Sequence, residues 1–356
     1  MTLAFPDTSR RGPSTLQRWM KGLFGTPLNI AITLAFLLFC AAVLWPFLRW
    51  ATIDAVWTGT AKDCAARSGA CWAFLGEKAR FITFGMYPSD LDWQAASATG
   101  LIVLLLVATA IPRFWTRHLP LLWLGTIALA VAILSGLPSG RFVGTEKWGG
   151  FPLTVLLSTV GFAGAFPLGI ALALGRRSKL RLVKLLSVGF IETLRGVPLI
   201  AVLYVATLLF PLMLPAGASI DKLARAQIAI ILFVSAYMAE IVRAGLQSLP
   251  PGQAEAARSL GLSWWATTRL VLLPQALRAV IPAFVNLAIG LFLDTTLVIV
   301  IGLFDFLNTA RVAATDPNWI GFYNEAYAFA AAVYFTLAFA ASRYSLWLER
   351  RLRVGR

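Results

Sequence analysis

Charge is scarce in this chain. Only 13% of its 356 residues are Asp, Glu, Lys or Arg, against roughly 25% in a soluble globular domain, while 59% are hydrophobic and the mean hydropathy is +0.76. A soluble fold is therefore excluded as the first reading. Histidine is reduced to His118 and cysteine to three residues. There is no H-E-x-x-H, no Cys/His cluster and no Ser–His pair beyond that single His, so the usual catalytic and metal-holding sets are missing. No G-x-x-x-x-G-K-[ST] occurs, which removes the phosphate-cradling loop of that type. Nor does any apolar run alternate with period two, so helices and not a β-barrel must satisfy the backbone inside a bilayer. The expectation is a non-enzymatic, all-α integral membrane protein with no catalytic residue, metal or cofactor of its own.

What is present is a series of apolar runs near the roughly 20 residues that a hydrocarbon core requires. They predict about eight transmembrane helices, over 28–48, 96–112, 120–137, 151–174, 190–214, 226–247, 280–303 and 326–347. The net charge of +15 would suggest nucleic acid in a soluble protein. Here no compact basic, aromatic-interleaved domain exists, and basic residues mark cytoplasmic loops instead. With the N-terminus inside, about two thirds of the Lys and Arg fall on inner segments, including the cluster GRRSKLRLVK; the opposite orientation places that cluster outside. Both termini are thus expected in the cytoplasm. The first run is longer than a signal-peptide core and no A-x-A-like site follows LLFCAAVLWPFLRW, which predicts a permanent anchor.

Residues 49–95 form a long outer loop. It holds Cys64 and Cys71, and in an oxidising space that pair predicts a disulfide, with two free thiols as the alternative. In the fourth run Gly161, Ala165, Gly169 and Ala173 recur every four residues, a spacing that lets helix backbones approach closely, and Pro167 should bend that helix. The seventh run, VIPAFVNLAIGLFLDTTLVIVIG, carries Asp294 slightly past its middle, where a carboxylate costs about 2.5–3.5 kcal/mol to insert. Asn286, Gly290 and Asp294 are four apart and share a helix face; Thr295 and Thr296 add hydroxyls. The set either lines a translocation path or forms a buried interhelical contact. Glu240 with Arg243, and Glu192 with Arg195, are spaced for local pairing.

One segment is too polar for the bilayer and too apolar for a simple loop: SLPPGQAEAARSLGLSWWATTRLVLLPQAL. Two prolines and a glycine end the preceding helix, EAARSL favours helix, Gly261 breaks it, and Ser263 is a candidate N-cap for a second helix that Pro274 limits. Trp264 and Trp265 suit the lipid headgroup level. This predicts a helix–Gly–helix lying at the cytoplasmic face, either resting on lipid or fitting its small-sided alanines into a partner's groove.

The spacing E-A-A, three residues, Gly, nine residues, an aliphatic residue, one more, then Leu-Pro is met by Glu255, Ala256, Ala257, Gly261, Val271, Leu273 and Pro274. It resembles the EAA loop of ABC importer permeases. IETLRGVPLI, SAYMAEIVRAGLQSLPPGQAEAA and DTTLVIVIGLFDF widen the resemblance to the polar amino-acid permease family over roughly 150–350, and GACWAF with TEKWGGFPLT resembles a permease subunit of the bacterial general L-amino-acid importers. Leu293 and Ile299 stand where such permeases often carry Lys and Ser. The resemblance implies a type I importer core at 150–356, with its EAA loop at about 252–274, after an N-terminal region at 1–149 holding three spans. It further implies a heterodimer with a second permease subunit, a periplasmic amino-acid-binding protein, and a cytoplasmic ABC ATPase dimer that holds ATP and Mg. Glu255, Ala256, Ala257, Gly261 and Pro274 would couple to that ATPase. A secondary transporter or channel driven by an ion gradient also uses Asp294, but leaves the EAA spacing without a role.

Overall fold

The computed structural model describes residues 15–215 and 219–353. Its contacts divide the chain into two units, residues 1–76 and 77–356. Among the described residues the structure is helical, with two isolated β-bridges and no strand.

The first unit contains α1 (Thr15–Phe24), α2 (Pro27–Ile53) and α3 (Ala61–Ala65). Thr26 caps α2 by accepting the Asn29 N–H at 3.2 Å, and Pro27 occupies the first turn, where its missing N–H costs nothing. None of α2's most apolar stretch is buried within the chain; such a helix finds its apolar solvent in lipid. The loop beyond it is pinned by Trp72, whose indole N–H donates to the Ala51 carbonyl at 2.7 Å. Cys64 and Cys71 are joined as a disulfide with their Cα atoms 5.5 Å apart.

After α4 (Trp72–Phe84), which passes from the first unit to the second, come α5 (Ser89–Ala110), α6 (Leu119–Leu134), α7 (Gly150–Arg176), α8 (Arg181–Gly196), α9 (Leu199–Met213) and α10 (Lys222–Gln247). These are followed by α11 (Pro251–Ser259), α12 (264–279), α13 (Ile281–Ile301), α14 (Phe306–Ala313) and α15 (Tyr323–Arg353). The core is the α7–α10 pair. Gly161, Ala165, Gly169 and Ala173 are all buried; a Cβ at Gly161 would meet Ile230 at 2.8 Å and one at Gly169 would meet Met238 at 2.6 Å. The four-residue stripe is thus the seam along which α10 seats its larger side chains. α7 runs unbroken through Pro167.

Among the described residues six helices are long and apolar enough to cross a membrane, or seven if the bent pair α8–α9 forms one span. Two expected spans take another form. α6 has only 16 residues, about 24 Å at 1.5 Å per residue. The run expected as one span over 190–214 turns through 107° between α8 and α9. The cause is Pro198: it forces Val197 into extended backbone (φ −115°, ψ 137°) and cannot donate to the preceding turn. α8 then lies across the end of α7, where a Cβ at Gly175 would meet the Ser187 hydroxyl at 2.2 Å.

Candidate coupling surface and translocation face

The EAA segment folds as a helix, a bend and a helix. Pro251 starts α11, and Gly261 follows with φ +77°, a left-handed conformation that a β-carbon resists. The Ser263 hydroxyl then caps α12 by accepting the Ala266 N–H at 3.2 Å. Pro274 does not limit α12. The helix widens into π turns over Thr267–Leu272, one residue short of the proline, and continues through it to Ala279; such wide turns occur as bulges within otherwise α-helical segments. The break comes instead at Val280 (φ −106°, ψ 9°), ahead of Pro282. The alanines of α11 also divide. Ala257 is buried against this chain, whereas Glu255, Ala256, Ser259 and Leu260 are exposed, Leu260 by 82%. A bulky residue at Ala257 would therefore disturb the chain's own packing before it reached any partner.

On α13, Asn286 and Asp294 are exposed with Gly290 between them, so the row predicted from spacing exists as one face. Asp294 forms no ion pair or hydrogen bond among the described residues. The α-helical winding ends at Asp294 and tightens into 3-10 turns over Thr295–Ile301, closed by Gly302. That change of pitch separates the threonines. Thr295 is buried and donates to the Phe292 carbonyl at 2.8 Å; Thr296 is half-buried and donates to the Leu293 carbonyl at 2.9 Å. Thr295 does not share the exposed face of Asp294.

Near the EAA end of the core the structure assembles charges that spacing had paired only locally. Glu240 on α10 lies 2.7 Å from Arg243, 3.0 Å from Arg176 at the end of α7, and 3.8 Å from Arg195 near the end of α8. Glu192 pairs with Arg176 at 2.8 Å rather than with Arg195. The sequence signal was arginines at three helix ends, unreadable without knowing that α8 crosses α7. A cleft of about 490 Å³ opens beside this cluster, lined in part by Arg195, Tyr237, Glu240 and Arg243 from one side and Ala283 and Leu287 of α13 from the other.

The opposite end of α7 holds a residue to which the sequence assigned no role. Asp305 is fully buried and caps α14, accepting the backbone N–H groups of Asn308 at 3.2 Å and Leu307 at 3.3 Å, the Asn308 side-chain amide, and the Tyr334 hydroxyl at 2.9 Å. Burial pushes its carboxyl above the usual range, against those four donors. Thr154 of α7 accepts the Phe306 N–H at 2.9 Å, and Gly150 donates to the Phe304 carbonyl at 2.9 Å. Gly150 has φ +63°, and a β-carbon there would sit 2.1 Å from the Thr83 carbonyl oxygen, so only glycine admits this close approach. No group of three or more His, Cys, Asp or Glu among the described residues is arranged to hold a metal ion.

Comparison with known proteins agrees with this architecture. Residues 165–354 match the family described as binding-protein-dependent transport system inner membrane component. The chain is 44% identical to the inner membrane amino-acid ABC transporter permease protein YhdY of Escherichia coli K12, over 99% of this chain and 97% of that one. It is 35% identical to the glutamate/glutamine/aspartate/asparagine transport system permease protein BztC of Rhodobacter capsulatus, over 94% and 93%. Among solved structures, an amino acid ABC transporter crystallised with histidines is similar at 32% identity and a TM-score of 0.51, covering 56% of this chain and 91% of that one.

Proposed function

The chain belongs to the family of binding-protein-dependent transport system inner membrane components, and we propose that its exposed α11 is the lever through which a separate ATPase drives it. It is a multi-pass permease subunit of an ATP-driven amino-acid importer of the bacterial inner membrane. The observation that carries the coupling role is Leu260, an apolar side chain 82% exposed beside the Gly261 bend of a polar surface helix. An exposed apolar side chain on a small-sided surface helix is the kind of anchor that a partner's groove receives. Glu255, Ala256 and Ser259 form the remainder of the docking face. Ala257, Gly261 and Pro274 act behind it, holding α11 at a fixed angle to α12. Both termini and α11 lie in the cytoplasm in this reading, because the basic clusters favour that side.

ATP and Mg are held by the ATPase dimer in this reading; this chain's sequence has no G-x-x-x-x-G-K-[ST]. A second permease completes the pore as a heterodimer, and a periplasmic binding protein presents the amino acid. Asn286 and Asp294, with Thr296 at the edge, line the path; the carboxylate of Asp294 receives the ammonium group common to all amino acids. The test is co-purification of the ATPase together with uptake in proteoliposomes. Leu260→Asp should lose both while inserting normally into the membrane. An ATPase that stays bound to that variant, with uptake at the parental rate, removes α11 as the coupling element.

A further inference from the structure

We propose that Arg195 forms a second station on the path, at its EAA end, which receives the carboxylate of the permeating amino acid. The inference rests on the amino-acid permease reading above and extends it to a side chain that neither the EAA spacing nor the Asp294 face includes.

Three arginines meet at the Glu240 cluster, but only two of them are committed. Arg176 bridges Glu192 at 2.8 Å and Glu240 at 3.0 Å. Arg243 donates to Glu240 at 2.9 Å through its Nε and to Gln247 at 2.6 Å through an Nη. Arg195 differs. Its nearest carboxylate oxygen is 3.8 Å away, it makes no hydrogen bond among the described residues, and its side chain is 37% exposed. A guanidinium carries five N–H donors in a planar fork that matches a carboxylate, and here that fork is unspent. It is nevertheless held in place, because it lies 5.6 Å from the centre of the Tyr237 ring, close enough for the ring face to attract it. Three arginines against two glutamates also leave one positive charge uncompensated, so an anion is the complementary guest.

The cleft provides room for that guest. It is a wide-open cleft of about 490 Å³, room enough for a passing amino acid without enclosing it. Its far wall is α13, where Ala283 and Leu287 continue downward the face that carries Gly290 and Asp294, in steps of three and four residues. Leu287 and Asp294 are seven residues apart, about 10 Å along a helix. That is too far for one amino acid to hold both charges through its own ammonium and carboxylate. The two stations therefore act in turn: Asp294 takes the ammonium midway, and Arg195 takes the carboxylate as the molecule nears the cytoplasm. Tyr237 and the apolar wall accommodate different side chains, while the fork reads the group that all amino acids share.

The experiment uses the assembled importer in proteoliposomes, with L-glutamate and L-glutamine as probes within a panel of L-amino acids. An assembly that hydrolyses ATP but takes up no member of the panel overturns the permease reading, and this station with it. Given parental uptake, Arg195→Gln should lower uptake about ten-fold, the scale of one charge-assisted contact. Hydrolysis stimulated by loaded binding protein should stay within about two-fold of parental, because the lever is untouched. Arg195→Lys, which keeps the charge but loses the fork, should fall between. Ala283→Phe fills the cleft without touching any charge and should also block uptake, which keeps the proposal testable should Arg195→Gln fail to assemble. Uptake by Arg195→Gln or Ala283→Phe at the parental rate overturns the station. Parallel loss of uptake and hydrolysis in both Arg195 variants, with Ala283→Phe active, identifies Arg195 as a strut instead.

Discussion

Asp305 and Glu240 are both carboxylates drawn into the helix core, at opposite ends of α7, yet their surroundings differ in kind. Asp305 is fully buried and surrounded by neutral donors: two backbone N–H groups, an amide and a phenol. Glu240 keeps 15% of its side chain exposed and is surrounded by three guanidinium groups beside an open cleft. Neutral hydrogen bonds are short and directional, so the Asp305 set is a closed clamp joining α14 to α15, with Thr154 and Gly150 tying the same corner to α7. Ion pairs tolerate a range of distances and partners. Arg176 already serves two acids, and Arg195 stands loosely at 3.8 Å. One end of the core is held by directional neutral bonds and the other by ion pairs spread from 2.7 to 3.8 Å. That division is what the proposed lever at the EAA end would require.

The sharpest way to break the comparison is to remove Glu240. Glu240→Gln leaves three arginines without their shared partner, and breaking a buried ion pair from one side costs about 3–5 kcal/mol; some of this is screened by the remaining exposure, so about 3 kcal/mol is expected. The thermal midpoint of the purified complex should fall further than for any variant at the Asp305 end. A smaller loss than at Asp305 would make the Glu240 cluster incidental. Next in size is Gly261→Val, which places a β-branched residue at φ +77° and costs about 1–2 kcal/mol at the bend. It should abolish ATPase association while leaving the core's melting nearly unchanged, whereas coupled loss of both would mean that the bend supports the core.

Asp305→Asn replaces one acceptor by a donor that faces other donors, at a cost of about 1–2 kcal/mol at neutral pH. Its pH dependence tests the clamp directly. Because burial raises the Asp305 carboxyl above its unfolded value, the native state takes up the proton first. The stability tied to that protonation is full below the ordinary carboxylate range and is lost as pH rises through the raised value. Parental protein should therefore gain on Asp305→Asn as pH falls from neutral toward the ordinary range. A gap that widens in the other direction removes burial as the controlling term. Tyr334→Phe, losing a single hydrogen bond, should cost about 1 kcal/mol and leave uptake unchanged; a transport defect would show that the clamp moves after all.

Much of this was legible from residue order. The stripe of Gly161, Ala165, Gly169 and Ala173 marked its seam, the Ser263 cap and the Gly261 bend stood where their chemistry placed them, and Asn286 with Asp294 kept one face because a helix preserves its period. Local rules failed where two structural demands competed. Pro274 reads as a stop, but the helix continues through it; Pro198 reads as a flaw near the start of a span, but turns the chain through 107°. Thr295 followed Asp294 in sequence and left its face when the winding tightened.

The sequence by itself determined the class of protein, because low charge and long apolar runs leave only membrane helices, and it determined the EAA bend, because a glycine between a proline-started helix and a serine cap needs no distant partner. The tertiary structure alone decided that Ala257 faces inward, that Glu240 gathers Arg176, Arg195 and Arg243, and that Asp305 is the clamp at the far end. Each of those depends on where one helix meets another, and such a meeting brings together groups as far apart in sequence as Thr154 and Phe306, which carry no periodic relation to one another.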